Sequence, residues 1–168
     1  MPTGLKQTSS VVSIGFSATE AAPNVFAQNS VDLNLSPLDR EVFVVLAINL
    51  DCDVPEFVAG NTTQVRCGLT TTSQTAMPSL ADSNCLARLS NTIRSTGADA
   101  VGFVSGALET PPATQDYIGI IATNDFFVQV KGTGNVGTSS MQGKLYGYRA
   151  TATADIFAAL VQSEVLSA

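Results

Sequence analysis

Three carboxylates that lie close together are the densest group of side chains in this chain that could bind a metal or move a proton. Asp51, Asp53 and Glu56 follow a long apolar run, and Asp51 and Asp53 would project to the same side of an extended chain. With backbone carbonyls they could hold a calcium ion, which takes oxygen ligands. The segment lacks the EF-hand pattern, so we interpret it as a solvated strand exit and keep a cation site as the alternative.

A glycine-rich segment, residues 132–137, matches the G-x-G-x-x-G pattern of dinucleotide-binding proteins and follows a predicted strand. A pyrophosphate site also needs a helix that begins at this loop. Residues 138–143 do not open a helix, and the next predicted element is another strand. The segment therefore indicates a flexible hairpin tip and not a nucleotide site.

The absence of histidine restricts the chemistry further. Ser-His-Asp and Cys-His nucleophile pairs and histidine-bearing zinc sites all need an imidazole. The hydroxyls of Ser13 and of residues 70–72 have no such base to activate them. We therefore predict that the protein is not an enzyme, and we assign no catalytic, cofactor-binding or metal-binding residue and no cofactor.

Five aromatic residues could form a platform for sugars or bases. They are Tyr117, Tyr146, Tyr148, Phe126 and Phe127. Aromatic side chains dominate the packing of cores, and the chain has no tryptophan, the residue best suited to stack on sugars. We interpret these five residues as core and edge packing.

The three cysteines, Cys52, Cys67 and Cys85, are odd in number and show no C-x-x-C spacing. We interpret them as small buried thiols in a reducing compartment. The alternative is a single Cys52–Cys67 disulfide, which would form if the strands that carry these residues pair.

The composition is poor in charge. The formal net charge is -6, only 13% of residues are charged, and the eight Lys and Arg are scattered along the chain. This predicts no direct binding of nucleic acid or of an anionic membrane. A neutral polar surface suits large protein-protein contacts, or simply a soluble protein of low charge. Residues 1–10 show no secretory signal, and no apolar run reaches the roughly eighteen residues of a membrane span.

One apolar run, residues 41–51, is the centre of the predicted fold. Val42, Val44, Leu46, Ile48 and Leu50 would point to one side, and Phe43, Val45 and Ala47 to the other. Because both faces are apolar, both must be covered. We therefore predict a central strand between two layers.

The remaining elements are predicted mainly from a period of two. Strands are predicted near residues 11–19, 25–36, 63–71, 100–108, 117–122, 126–130 and 144–153. A short helix is predicted from Ser79 to Arg94, with Gly97 ending it, and a second over residues 155–166 with Thr153 as its cap. Residues 1–10 are predicted to be a flexible arm, and 11–168 a single domain. These patterns predict a mainly β protein, an antiparallel β-sandwich with one or two short helices.

The strands rich in Ser, Thr, Ala and Gly, the polar N-terminal arm, and the stretches 116–122 and 146–150 resemble those of viral capsid proteins, in particular coat or decoration subunits of phages and other icosahedral virions. The resemblance implies a jelly-roll-like sandwich and a virion structural protein made in the host cytoplasm. It implies closed homo-oligomers, with a trimer expected, and contacts with other capsid proteins. Lys6 is the only basic residue among residues 1–10, whereas coats that package nucleic acid often have a basic arm. This departure favours an outer-shell subunit, or one whose genome is held by another protein.

A binding module from a different functional class is the alternative. An aromatic face or the loops of a β-sandwich could hold a glycan or a peptide. This hypothesis requires that Tyr146 and Tyr148 share one exposed surface.

Overall fold

The computed structural model describes residues 3–106 and 115–166, which form ten strands and one helix. The elements are β1 (Leu5–Gln7), β2 (Val12–Thr19), β3 (Ala27–Asp32), β4 (Glu41–Cys52), β5 (Thr63–Thr70), β6 (Cys85–Thr96), β7 (Asp99–Gly106), β8 (Gly119–Ile121), β9 (Asp125–Thr133), β10 (Ser140–Ala152) and α1 (Ala154–Leu166). This helix, the one that the described residues form, is too short to cross a membrane.

The strands form two five-stranded sheets in which every described pairing is antiparallel. In the first sheet β1 and β2 pair with one side of β10, and β4 and then β8 follow on its other side. The second sheet has the order β3-β9-β5-β6-β7. Without β1 and β7, four strands remain in each sheet, and successive strands cross between the sheets, except for the β5–β6 pair, as in a jelly roll. The predicted antiparallel, jelly-roll-like sandwich is therefore confirmed.

The main core lies between the two sheets. In β5 the side chains of Val65, Cys67 and Leu69 face inward and are fully buried, as the period of two predicts. Phe16 of β2 and Phe126 of β9 meet edge to face with ring centroids 5.8 Å apart. This contact joins the two sheets.

The strand β4 is covered on both faces over its first half, as predicted. Phe43 and Val45 lie in the core between the sheets, whereas Val42 and Val44 lie under α1 in a second apolar cluster. All four are at most 1% exposed.

The predicted faces are wrong beyond Leu46. The register of β4 against β10 shifts between Tyr146 and Gly147, which leaves Leu46 as the extra residue of a β-bulge. One extra residue reverses the alternation, so Ile48 and Leu50 face the core on the same side as Phe43. The opposite side of this half of β4 is exposed at Asn49.

The predicted helix from Ser79 to Arg94 is wrong. Asp82 accepts a hydrogen bond from the Ser79 N–H at 2.7 Å, and Ser79 accepts one from Ala81 at 3.3 Å, so the capping interactions close a single turn. From Cys85 the chain is the strand β6, paired on both sides. Hydrogen bonds to two neighbouring strands outweigh the local preference. Gly97, with φ of 83°, lies in the β6–β7 hairpin turn.

The C-terminal helix is confirmed. The carbonyl of Thr153 accepts the N–H of Phe157 at 2.9 Å, which starts the helix where the sequence predicts. Four apolar residues pack onto the second cluster: Ile156, Phe157, Leu160 and Val161.

The N-terminal arm is in part a strand, contrary to the prediction. Leu5 pairs with Ala152, and Gln7 with Ala150, so β1 extends the first sheet. Leu5 is buried in the apolar cluster under α1. The polar sequence gives little alternation, and it is the open edge of β10 and the apolar surface beside it that order this segment.

The strand predicted near 100–108 is confirmed as β7; residues 107–114 lie outside the described residues.

Candidate interaction surfaces

The three clustered carboxylates each accept hydrogen bonds from the chain itself, Asp51 and Asp53 from β10 and Glu56 from the loop before it. Asp51 accepts a hydrogen bond from the Gln142 amide at 3.2 Å, and Asp53 accepts from both the N–H and the hydroxyl of Ser140 at 2.7 Å. Glu56 accepts hydrogen bonds from the glycine-rich segment, residues 132–137, which is described below. Among the described residues, no group of three or more His, Cys, Asp or Glu side chains is placed to hold a metal. The geometry gives no support to the cation alternative.

The glycine-rich segment is not a hairpin tip, because β9 and β10 belong to different sheets and the loop crosses between them. Glu56 accepts hydrogen bonds from the N–H groups of Val136 and Gly137 at 2.6 and 3.1 Å. The buried carboxylate of Glu20 accepts from Gly132 and Ser139 at 2.6 and 2.8 Å. The N–H groups that would hold a phosphate are thus taken by carboxylates of the chain itself.

The aromatic residues do not form one platform. Tyr117 and Tyr148 pack in the cluster under α1, whereas Phe126 lies in the core between the sheets. Tyr146 pairs with Ala47 on the uncovered part of the first sheet. The predicted packing role fits these positions. Tyr146 and Tyr148 share one face of β10, but Tyr148 is buried, so the two do not form the exposed surface that the glycan hypothesis requires.

The prediction of three free thiols is wrong, because Cys52 and Cys67 form a disulfide with their Cα atoms 6.2 Å apart. The reason given for the alternative is also wrong. Strands β4 and β5 do not pair; they lie in opposite sheets, and the bridge spans the core. The bulge at Leu46 turns Cys52 inward toward Cys67.

Cys85 is the free cysteine. Burial raises the pKa of its thiol, the nearby Asp82 raises it further, and Arg88 opposes the shift. A raised pKa disfavours the thiolate, which is the nucleophilic form.

The threonine hydroxyls noted in the sequence have structural partners. Thr70 donates to the Thr72 carbonyl at 2.7 Å and accepts from Gln129 at 2.6 Å. The hydroxyl of Thr72 accepts from Asn84 at 2.6 Å. Ser13 is exposed on β2.

The strand β7, predicted near residues 100–108, is an open edge of the second sheet. All eight of its residues are exposed, including Val101, Phe103 and Val104 at 57%, 51% and 76%. It pairs with β6 on one side, and no strand in the described part of the chain pairs with the other. A row of unpaired N–H and C=O groups beside apolar side chains can accept another strand.

Sheet pairing also collects basic residues that are scattered in the sequence. Arg66 of β5 lies directly opposite Lys131 of β9 and, on its other side, opposite Ser90 of β6. Arg88 and Arg94 share the side of β6 on which Ser90 lies, because their numbers differ from 90 by even steps. We call this outer surface of the second sheet, with Arg66, Arg88, Arg94 and Lys131, the basic face. The pairing joins residues too far apart in the chain for any sequence window to show it.

Comparisons with known proteins give distant similarity alone. No family model matches the sequence, and no curated protein matches it significantly. A solved chain of Desmodium yellow mottle tymovirus is similar over 92% of this chain and 95% of its own length, with 15% identity and a TM-score of 0.32.

A second solved structure is similar over 75% of this chain but only 21% of its own length, with 10% identity and a TM-score of 0.17. It is the tailspike protein gp49 of Acinetobacter baumannii bacteriophage Fri1, a capsular polysaccharide depolymerase. Both are virus proteins. Because both TM-scores are low, we base the functional interpretation on the geometry of this chain alone.

Proposed function

We propose that this protein is a non-enzymatic virion structural protein, a coat or decoration subunit that assembles with copies of itself. The observation that carries the proposal is the open edge of β7. Natural proteins protect such edges with Lys, Pro, a bulge or a very short strand. β7 has eight residues, contains neither Lys nor Pro, and pairs with β6 without a register shift. An unprotected apolar edge of this length is stable in solution when another chain covers it.

The rest of the surface supports assembly. Only 13% of the residues are charged, so few charges would have to be desolvated in a subunit contact. The Cys52–Cys67 disulfide is compatible with a particle exposed to an oxidising environment, where such bonds persist.

The geometry of the contact sets the number of subunits. Two β7 strands paired with each other form a two-fold contact and a dimer. A ring such as the expected trimer requires β7 to contact a different surface of its neighbour. The mass of the assembly therefore distinguishes the two arrangements.

Replacing Val104 with Lys is the test of this proposal. A Lys on the exposed edge should weaken self-association at least about tenfold, which corresponds to about 1.4 kcal/mol. The measurement is the mass distribution by light scattering after size-exclusion chromatography, with electron microscopy of the same fractions.

Val136→Lys is the matched control. Val136 is also 76% exposed, but it lies in the loop between β9 and β10, away from β7. It should assemble like the wild type. A wild-type protein that stays monomeric at high concentration, or two variants that assemble equally well, would contradict the proposal.

A further inference from the structure

The basic face combines three unfavourable features that an anionic ligand would relieve. First, Arg66 and Lys131 are like charges directly opposite each other on neighbouring strands, an arrangement that destabilises a sheet. Second, the buried Nε atom of Arg66 has no hydrogen-bond partner. Third, none of the four basic residues has an ion pair with a described carboxylate; the pair that is formed joins Arg149 to Glu41 elsewhere.

The acidic residues on this face lie at its ends. Asp125 is six residues from Lys131 on β9, about 20 Å away at roughly 3.3 Å per residue. Asp99 lies at the hairpin end of β7, opposite Thr96 and two positions from Val101, the partner of Arg94. The strands place no acidic residue on the face between Arg66, Arg88 and Lys131. Asp82, in the turn before β6, lies toward the Arg88 end, since both residues influence the pKa of the Cys85 thiol.

A cleft of about 300 Å³ lies beside these residues and is lined mainly by hydrogen-bond donors. The amide of Gln64 donates to the hydroxyls of Ser90 and Thr92 at 2.8 and 2.9 Å. Since each hydroxyl accepts that bond, its own hydrogen remains available to another acceptor. Arg88 and Ser105 line the same cleft. Guanidinium groups and hydroxyls are the side chains that contact phosphate in nucleic-acid complexes.

The extent of the face indicates a polymer. Arg88 and Arg94 are six residues apart on β6, about 20 Å at roughly 3.3 Å per residue, which is longer than one phosphate group. At one end of the basic face, the Arg94 guanidinium lies 5.8 Å from the ring centroid of the exposed Phe103. Basic tracks next to exposed aromatic rings are typical of single-stranded nucleic-acid sites, where bases stack on the rings. An acidic peptide would have no base to place there.

We propose that the basic face binds the sugar-phosphate backbone of single-stranded nucleic acid. This proposal differs from the prediction, made from the scattered sequence positions of Lys and Arg, that the protein does not bind nucleic acid directly. It goes beyond the structural role proposed above. Its four basic residues lie on β5, β6 and β9, whereas Phe103 and Ser105 belong to β7, so the variants that test it change only residues away from the β7 edge.

The test measures fluorescence anisotropy of a labelled oligothymidylate of about 20 nucleotides at about 50 mM salt with the full chain. The double variant Arg66→Gln, Lys131→Gln should bind at least about tenfold more weakly, and its slope of log affinity against log salt should fall by about two. The matched control is Arg40→Gln, Lys144→Gln, which removes the same charges from exposed positions off the face. It should bind like the wild type.

Thermal unfolding of both double variants checks that each is folded. Absence of wild-type binding overturns the proposal. Equal weakening in the two variants also overturns it, because it would show that binding depends on net charge and not on the basic face. Polyglutamate that competes as well as unlabelled oligothymidylate also overturns it and points to an acidic protein partner. Oligomer mass, measured on the same samples, reports separately on the β7 contact.

Discussion

At the scale of single residues, two glycines decide how closely β10 can lie against its neighbours. A Cβ atom at Gly143 would meet the carbonyl oxygen of Asn49 and the ring of Phe16. One at Gly147 would meet the carbonyl oxygen of Val44 and the ring of Phe43. Because main-chain atoms cannot move aside as a flexible side chain can, these positions require glycine for close approach.

We expect Gly143→Ala to destabilise the protein by about 2 kcal/mol, the usual cost of overpacking a core. Urea unfolding followed by circular dichroism measures this difference. Gly15→Ala on β2 is the matched control, since a Cβ there meets nothing within 4 Å. It should be neutral or stabilise slightly, as Ala does in place of Gly within a strand. Equal effects of the two substitutions would show that the close contacts at Gly143 are unimportant.

At the scale of elements, α1 is attached to the sandwich by apolar packing and by one buried carboxylate. Both oxygens of Glu164 accept backbone hydrogen bonds at 2.9 Å, one from Ala122 and one from Thr123. Burial raises the pKa of this carboxyl, and the two backbone donors partly oppose the shift. The ionised form therefore carries a desolvation penalty in the folded state that it lacks in the unfolded chain.

The contribution of Glu164 to stability should fall as pH rises. Because the folded-state pKa is raised, the folded protein binds the proton more tightly, and this stabilisation is present below the ordinary value of 4.5. It is lost progressively as the pH rises from that value through the raised pKa. Urea unfolding of wild type and Glu164→Gln across this range should show the free-energy difference shifting in favour of the Gln variant.

Asp155→Asn, an exposed change in the first turn of the same helix, controls for the loss of one negative charge. A difference between wild type and Glu164→Gln that stays constant with pH would contradict the assignment.

Elements also show where local sequence preference fails. The period of two predicts β2, β3, β5 and β10 because each has one face on the core and one away from it. It fails for β6, where Ser79 and Asp82 favour a helix start and pairing with β5 and β7 imposes a strand. No local pattern distinguishes these outcomes, since the partners lie elsewhere in the chain.

At the scale of the whole molecule, the disulfide is a covalent cross-link between side chains of the two sheets. Cys52 and Cys67 are 15 residues apart, so the bridge closes a loop that restricts the unfolded chain. Around it lie Ile48, Val65 and Leu69, all fully buried. The bridge and the apolar core therefore stabilise the same contact.

Replacing both Cys52 and Cys67 with Ala should lower the free energy of unfolding by about 3 kcal/mol, the value typical of a loop of this length. Denaturant unfolding under non-reducing conditions measures it. Cys85→Ala is the control, because Cys85 is free and only partly buried, and we expect a smaller change. If reductant leaves wild-type stability unchanged, the bridge contributes nothing.

The sequence by itself determined the alternation that makes this chain a sandwich, the apolar run of β4, the C-terminal helix and the absence of imidazole chemistry. These features depend on residue type and local spacing, and both can be read directly from the sequence. The tertiary structure decided which residues meet: Cys52 with Cys67 after the bulge, Glu56 with the glycine-rich loop, and Arg66 with Lys131. Antiparallel pairing and sheet stacking bring together residues from distant parts of the chain, so the candidate surfaces exist only once the sheets have formed.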